Sequence, residues 1–356
     1  MQRDHVIDIA KGLGEILVCI HHSKFSTKFV INLIAQFHMP LFFILSGMMI
    51  NIEKYSISKF IIKKIETLLF SYYTMSIFSF FNSINNNKNF NYKKYFFQTL
   101  VGKQEDNSYW FILSLFISQC LIFIILKIII LISKNKKILK NLFVLILLVI
   151  SNHYGYYYAK YKNVYFKLNL VLLIISYITA GYFINLNRVF FDKYIFNIFF
   201  SPIYYYYYFK YINKNTYISF YSSLVGKPYY SNLLSFLGSF FILSLSTFIK
   251  SNWILEYFGK NSIYVYFLDV ENRYYFDNLT NFFNKFIPKN IKPFYKNIIL
   301  LLFNIILVIS KILIYIQIFK FYFPWFFNFS YFYRFNYKKL LKKYYIRTIK
   351  INKIIN

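Results

Sequence analysis

The chain has 356 residues, of which 58% are hydrophobic, 24% aromatic and only 15% charged, with 42 Lys+Arg against 12 Asp+Glu for a formal net charge of +30. That much apolar mass excludes a disordered chain. Two cysteines, Cys19 and Cys120, each inside an apolar run, exclude a disulfide scaffold.

The apolar residues fall in long blocks, unlike those of a single soluble domain, and a membrane-crossing helix needs about 20 mainly apolar residues. Windows of that size give ten candidates, near 7–22, 30–50, 66–83, 110–133, 138–152, 168–186, 193–209, 232–249, 253–270 and 296–319. The expected fold class is all-α: a polytopic membrane helix bundle of about ten transmembrane helices. It occupies 1–333, followed by a basic tail at 334–356.

The first window, within MQRDHVIDIAKGLGEILVCIHHS, carries a polar stripe. With Lys11 at 0° and about 100° per residue, Asp8 falls near +60°, Glu15 near +40° and His22 near +20°, while His21 lies on another face, near −80°. Ionisable groups inside a span cost about 2.5–3.5 kcal/mol each. Either Lys11 and Glu15 form a buried i,i+4 pair beside an interfacial histidine, or the stripe lines a polar cavity in which His22 exchanges a proton. Asp4, Asp8 and Glu15 are three of only twelve acids, which favours the cavity. The same acids, with no small-residue cleavage site after them, argue against a cleavable signal peptide.

In the second window, QFHMPLFFILSG (36–47), Pro40 removes a backbone donor and leaves a carbonyl free around Gln36. His38 is either a structural histidine or part of the cavity on the neighbouring helix. Ser46-Gly47 lets another backbone approach closely. The linkers KYSISKFIIKK (54–64), KNKKILK (134–140) and KYKNVYFK (160–167) are short and Lys-rich, and Lys127 and Lys311, inside long apolar windows, must face a partner helix or snorkel.

The tail holds eight Lys/Arg and no acid. The bias of Lys and Arg toward the cytoplasm puts it there, in a cytoplasmic (inner) membrane, and ten spans return the N-terminus to the same side. No C-x-x-C or His/Cys cluster suggests zinc, so no metal is expected. The basic balance looks like the drift of an AT-rich genome, with four Ala beside abundant Ile, Asn, Lys, Phe and Tyr, so nucleic acid is not an expected partner. The lipid bilayer is.

DIAKGLGEILVCIHHS followed by FHMPLFFILSG resembles the opening of the acyltransferase-3 family of integral membrane acyltransferases, in particular its fucose-acetylase-like branch. Asp8, Lys11, Gly12 and His22 fit an Asp-x-x-Lys/Arg-Gly motif with a His eleven residues after the basic residue. His38, Met39, Pro40, Phe42, Phe43, Ser46 and Gly47 fit the second stretch. FIIKKIETLLFSYY (60–73) is similar to the family's basic segment before Pro-Tyr, with Ser71 in place of Pro. YWFILSLF (109–116) matches through Trp110, Phe111, Leu115 and Phe116. The late segment matches through Gly259, Ser262 and Tyr266, but Asp269 stands where His is usual.

The resemblance implies ten spans, a cytoplasmic N-terminus, and transfer of an acyl group, commonly acetyl from acetyl-CoA, to a hydroxyl of a surface or exported glycan or glycolipid. It singles out Lys11 and His22. His22 is then the expected base, with His38 a second proton-handling group. Lys11, oriented by Asp8 and Glu15, either holds a CoA phosphate or stabilises developing negative charge. Glu15 departs from the family's apolar residue. Lys63 and Lys64 either attract CoA phosphates or set topology, Trp110 either stacks on a sugar or anchors the interface, and Ser46 joins Glu15 and Trp110 as a substrate-side candidate. The competing reading is a non-catalytic membrane protein that binds or translocates glycolipid or polysaccharide, for which the changes at Ser71 and Asp269 leave room. The acceptor sugar and the oligomeric state have no signature in the sequence.

Overall fold

The computed structural model describes residues 4–23, 26–86, 92–100, 109–134, 136–161, 164–212, 226–269, 282–288 and 293–322. Every regular element among them is helical. The first three helices are α1 (His5–His22), α2 (Lys28–Ala35) and α3 (His38–Met48). α4 (Ile57–Lys64) passes through a π turn (Ile65–Leu69) into α5 (Phe70–Asn86), and α6 is Tyr92–Leu100. Then come α7 (Trp110–Ile132), α8 (Lys137–Ala159), α9 (Leu168–Leu186), the short α10 (Arg188–Phe190) and α11 (Ser201–Ile212). The remaining helices are α12 (Pro228–Ile249), α13 (Trp253–Lys260), α14 (residues 262–269) and α15 (Pro293–Tyr322). The basic tail at 334–356 lies outside the described residues.

Among the described residues six stretches are helical, long and apolar enough to cross a membrane: Lys28–Met48, Trp110–Ile132, Lys137–Ala159, Tyr165–Leu186, Pro228–Ile249 and Tyr295–Tyr322. They coincide with six of the ten windows. The other four windows fall on shorter or interrupted helix. α1 has the polar stripe, and window 66–83 lies across the π turn and α5. Window 193–209 is broken by a π turn (Phe191–Ile195) and a 3-10 turn (Ile198–Phe200), after which Pro202 sits in the first turn of α11, where a missing N–H costs little. Window 253–270 is parted at Asn261, whose side-chain amide donates to the Tyr257 carbonyl at 2.6 Å.

Local chemistry sets several helix starts. The Asp4 carboxylate accepts the N–H groups of Val6 and Ile7 ahead of α1, and Thr27, Ser56 and Asn252 do the same for α2, α4 and α13. Between α2 and α3 the expected loose carbonyl is present. Pro40 has no N–H for the Gln36 carbonyl, and the Ser235 hydroxyl of α12 donates to it instead, at 2.9 Å.

Among the described residues two helix pairs meet backbone to backbone through glycines on both partners. A Cβ on Gly47 of α3 would run into the Ile178 carbonyl of α9, and one on Gly181 of α9 into the Ile44 carbonyl of α3. The same reciprocity joins α1 to α13: Gly12 lies against the Leu255 carbonyl and Gly259 against the Asp8 carbonyl. Small residues on both partners are what lets apolar helices approach this closely where no water drives them together. The contact at Gly47 is the close approach expected of Ser46-Gly47. α1 thus lies inside the bundle, against α13, α12 and α3, and its polar face is held within protein.

Candidate active site

α1 and α3 run antiparallel and present chemistry at both ends. At one end the His21 and His38 rings stack with centroids 4.8 Å apart, and His21 meets His22 edge-on at 5.1 Å. At the other end the Lys11 ammonium reaches the Met49 thioether at 3.0 Å. Lys11 and His22 are eleven residues apart, about 16 Å along the helix axis. They therefore lie at opposite ends of the candidate site, too far apart to touch the same atom.

His22 has a specific partner. Its Nδ1 lies 2.9 Å from Oδ2 of Asp269 in α14. The Asp269 side chain is 5% exposed and that of His22 is 26% exposed, so the carboxylate is sealed in while the imidazole stays reachable. With the proton on Nδ1 donated to this carboxylate, the lone pair of the imidazole is on Nε2. The acid that the sequence presents as a departure from the family pattern is the group that orients the expected base.

The other histidines are fixed by backbone. His38 is buried, and its Nδ1 donates to the Ile34 carbonyl at 2.9 Å. His21 Nδ1 lies 3.3 Å from the Ile31 carbonyl. Three imidazoles and Asp269 thus form one cluster. Among the described residues no group of His, Cys, Asp or Glu has the arrangement to hold a metal ion.

Asp8 and Glu15 are both buried. Glu15 feels the charges of both Asp269 and Lys11, so it lies between the two ends. At the Lys11 end, Lys64 is partly buried, and its ammonium lies over the Phe60 ring at 5.2 Å. Burial, then the charges of Lys63 and Lys11, pull its pKa down from the usual lysine value to about 8. Lys63 turns away and donates to the Tyr55 hydroxyl at 2.8 Å. Of the two adjacent lysines, Lys64 faces the site.

Trp110 and Ser46 sit deeper than a surface role requires. Trp110 is 7% exposed, at the start of α7, and packs edge-on against Phe111. Phe111 in turn contacts Phe43 at 5.2 Å and Tyr266 at 5.4 Å. Segments far apart in sequence (FHMPLFF, YWF and IYVYFLD) therefore converge on one aromatic wall between the two ends. Ser46 is buried near the Met49 end and donates to the Phe43 carbonyl of its own helix at 2.8 Å.

Three features escaped the sequence reading. Asp269 was visible as a scarce acid in an aromatic helix, but not as the partner of His22. His21 lies off the stripe on the helical wheel, yet stacks on His38 because α3 packs on that side. The Met49 contact to Lys11 had no signal at all.

A family model described as an acyltransferase domain matches residues 4–270. No curated protein and no solved structure matches the chain. The matched stretch begins at the cap of α1 and ends one residue after Asp269, so it contains every residue of the two-ended site.

Proposed function

Because this chain belongs to the acyltransferase-3 family of membrane O-acyltransferases, we propose that it moves an acetyl group from acetyl-CoA to a hydroxyl of a surface or exported glycan, with His22 as the base. The observation that carries this reading is the His22–Asp269 pair at 2.9 Å. A buried carboxylate holding Nδ1–H fixes the tautomer, keeps the ring aimed and stabilises the imidazolium that forms when Nε2 takes the acceptor's proton. That proton then leaves His22 with the departing thiol.

The donor supplies the activated acyl group as a thioester, and the chain's own residues fit its other end. Lys11 and Lys64 form a cationic pair suited to CoA phosphates, about 16 Å from His22 along α1. A long donor bound there by its phosphates has the reach to extend its acyl end past the aromatic wall toward the imidazole. On this reading Asp8 and Glu15 orient Lys11. His38, stacked on His21, is the second proton-handling group. On this reading ten spans place Lys11 near the cytoplasmic face, with both termini in the cytoplasm, and His22 near the outer face of the cytoplasmic membrane. A donor made inside the cell then meets an acceptor presented outside it.

Mass spectrometry of surface glycans from cells with and without the gene tests this directly. The expected result is one acetyl mass per modified unit, present with the wild-type gene and absent with His22→Ala at equal membrane abundance. Full acetylation in cells carrying only His22→Ala contradicts the assignment of the base.

A further inference from the structure

A second feature lies away from the histidine cluster. α8 and α12, both apolar enough to span a membrane, flank a cleft of about 520 Å³, within the roughly 300–1,000 Å³ usual for ligand pockets. It runs along α8 from Leu148 and Val149 to Lys160. Asn152 and Asn232 bridge it by exchanging two side-chain hydrogen bonds, at 2.9 and 2.7 Å. Behind them Tyr156 and Tyr177 share a hydroxyl contact at 3.2 Å. These polar groups pin the cleft open by tying α8 to α12 across α9.

The two ends of the cleft differ in chemistry. Around Lys160, exposed Tyr154, Tyr157, Tyr158 and Tyr161, with Tyr229 across the cleft, form the aromatic belt that marks a membrane–water interface. Exposed Lys160 supplies a cation at that level, and exposed His153, about 10 Å further along α8, a hydrogen-bonding group partway down the cleft. The other end is lined by Leu148, Val149 and Phe236. From Leu148 to Lys160 is twelve residues, about 18 Å, close to one leaflet of a hydrocarbon core about 30 Å thick.

We propose that this cleft is a binding site for a single-leaflet amphiphile with a net-anionic phosphate headgroup, its head at Lys160, its polar backbone beside His153 and its chain along Leu148, Val149 and Phe236. The site does not depend on the acyltransferase reading, because its ligand is recognised by binding alone.

The full chain, reconstituted in bilayers, is labelled with photoactivatable phosphatidylglycerol or photoactivatable phosphatidylcholine, and cross-linked peptides are mapped by mass spectrometry. Phosphatidylglycerol is expected to label α8 and α12 peptides at least fivefold over phosphatidylcholine. Lys160→Glu removes that preference. Val149→Trp, which fills the apolar end, removes labelling by both lipids. Ile150→Trp, on the exposed face beside the cleft, leaves labelling as in wild type and controls for folding. Equal labelling by the two lipids, or labelling unchanged in both cleft variants, overturns the proposal. Competition by millimolar inorganic phosphate overturns the lipid as its source.

Discussion

Asp269 holds the Nδ1 of His22, although 247 positions separate them in the chain. Asp269→Asn keeps the shape but offers an amide where Nδ1–H needs a carboxylate. We expect kcat to fall by about 10²–10⁴-fold, the range that positioned proton transfer contributes, with the donor KM and the melting temperature little changed. Steady-state kinetics on the purified variant measure both, and an unchanged kcat removes Asp269 from the mechanism. At the other end, Lys64 makes a pH prediction. Its pKa of about 8 is lowered from the usual lysine value, so the ammonium is present below pH 8 and lost as pH rises through it. The donor KM should therefore rise from pH 7 to pH 9 in the wild type and stay flat in Lys64→Arg, whose guanidinium remains charged. Lys64→Ala should raise KM about tenfold at pH 7, the value of roughly 1.4 kcal/mol of charged contact. Asp8, Lys11, His22 and His38 were legible in sequence because a charge inside an apolar run is costly enough to need a reason. Their contacts were not legible, because the helical wheel of α1 carries no information about which helix packs on which side.

Helix packing supplies what the wheel lacks. The reciprocal glycine contacts of α3 with α9 and of α1 with α13 fix how deep the polar stripe sits. Gly259→Ala places a methyl group against the Asp8 carbonyl, which is backbone and cannot step aside. Overpacking of this kind costs about 1–3 kcal/mol. Gly14→Ala meets side-chain atoms instead of backbone, the edge of the Phe42 ring at 3.0 Å and the end of Leu41 at 3.3 Å. Thermal unfolding in detergent should show a clearly lower midpoint for Gly259→Ala than for Gly14→Ala; the reverse order contradicts the packing described. The windows of apolar residues located the long helices α7, α8, α9, α12 and α15 well, since a continuous apolar run has few other homes. They said less about α11, α13 and α14, where turns at Ile198–Phe200 and Asn261 interrupt runs that composition alone reads as continuous. Ser71, found where the family has Pro, is fully buried and bonds the Thr67 carbonyl at 2.8 Å, just after the π turn Ile65–Leu69. The helix is thus irregular at this turn even without the proline ring.

The whole bundle reads as a two-ended device: cations at Lys11 and Lys64, an aromatic wall through Phe43, Phe111 and Tyr266, and the His22–Asp269 pair beyond. The net charge of +30 first suggests a phosphate-binding surface, yet only two lysines of the candidate site face inward. The scarce acids are more telling than the plentiful bases, because Asp8, Glu15 and Asp269 are all buried along this one path. The most direct test is release of free CoA from acetyl-CoA by the purified full chain, with and without a glycan acceptor drawn from the same cells. Acceptor-dependent release that disappears in His22→Ala is the predicted result. Binding of the glycan with no thioester consumed would contradict acyl transfer at this site.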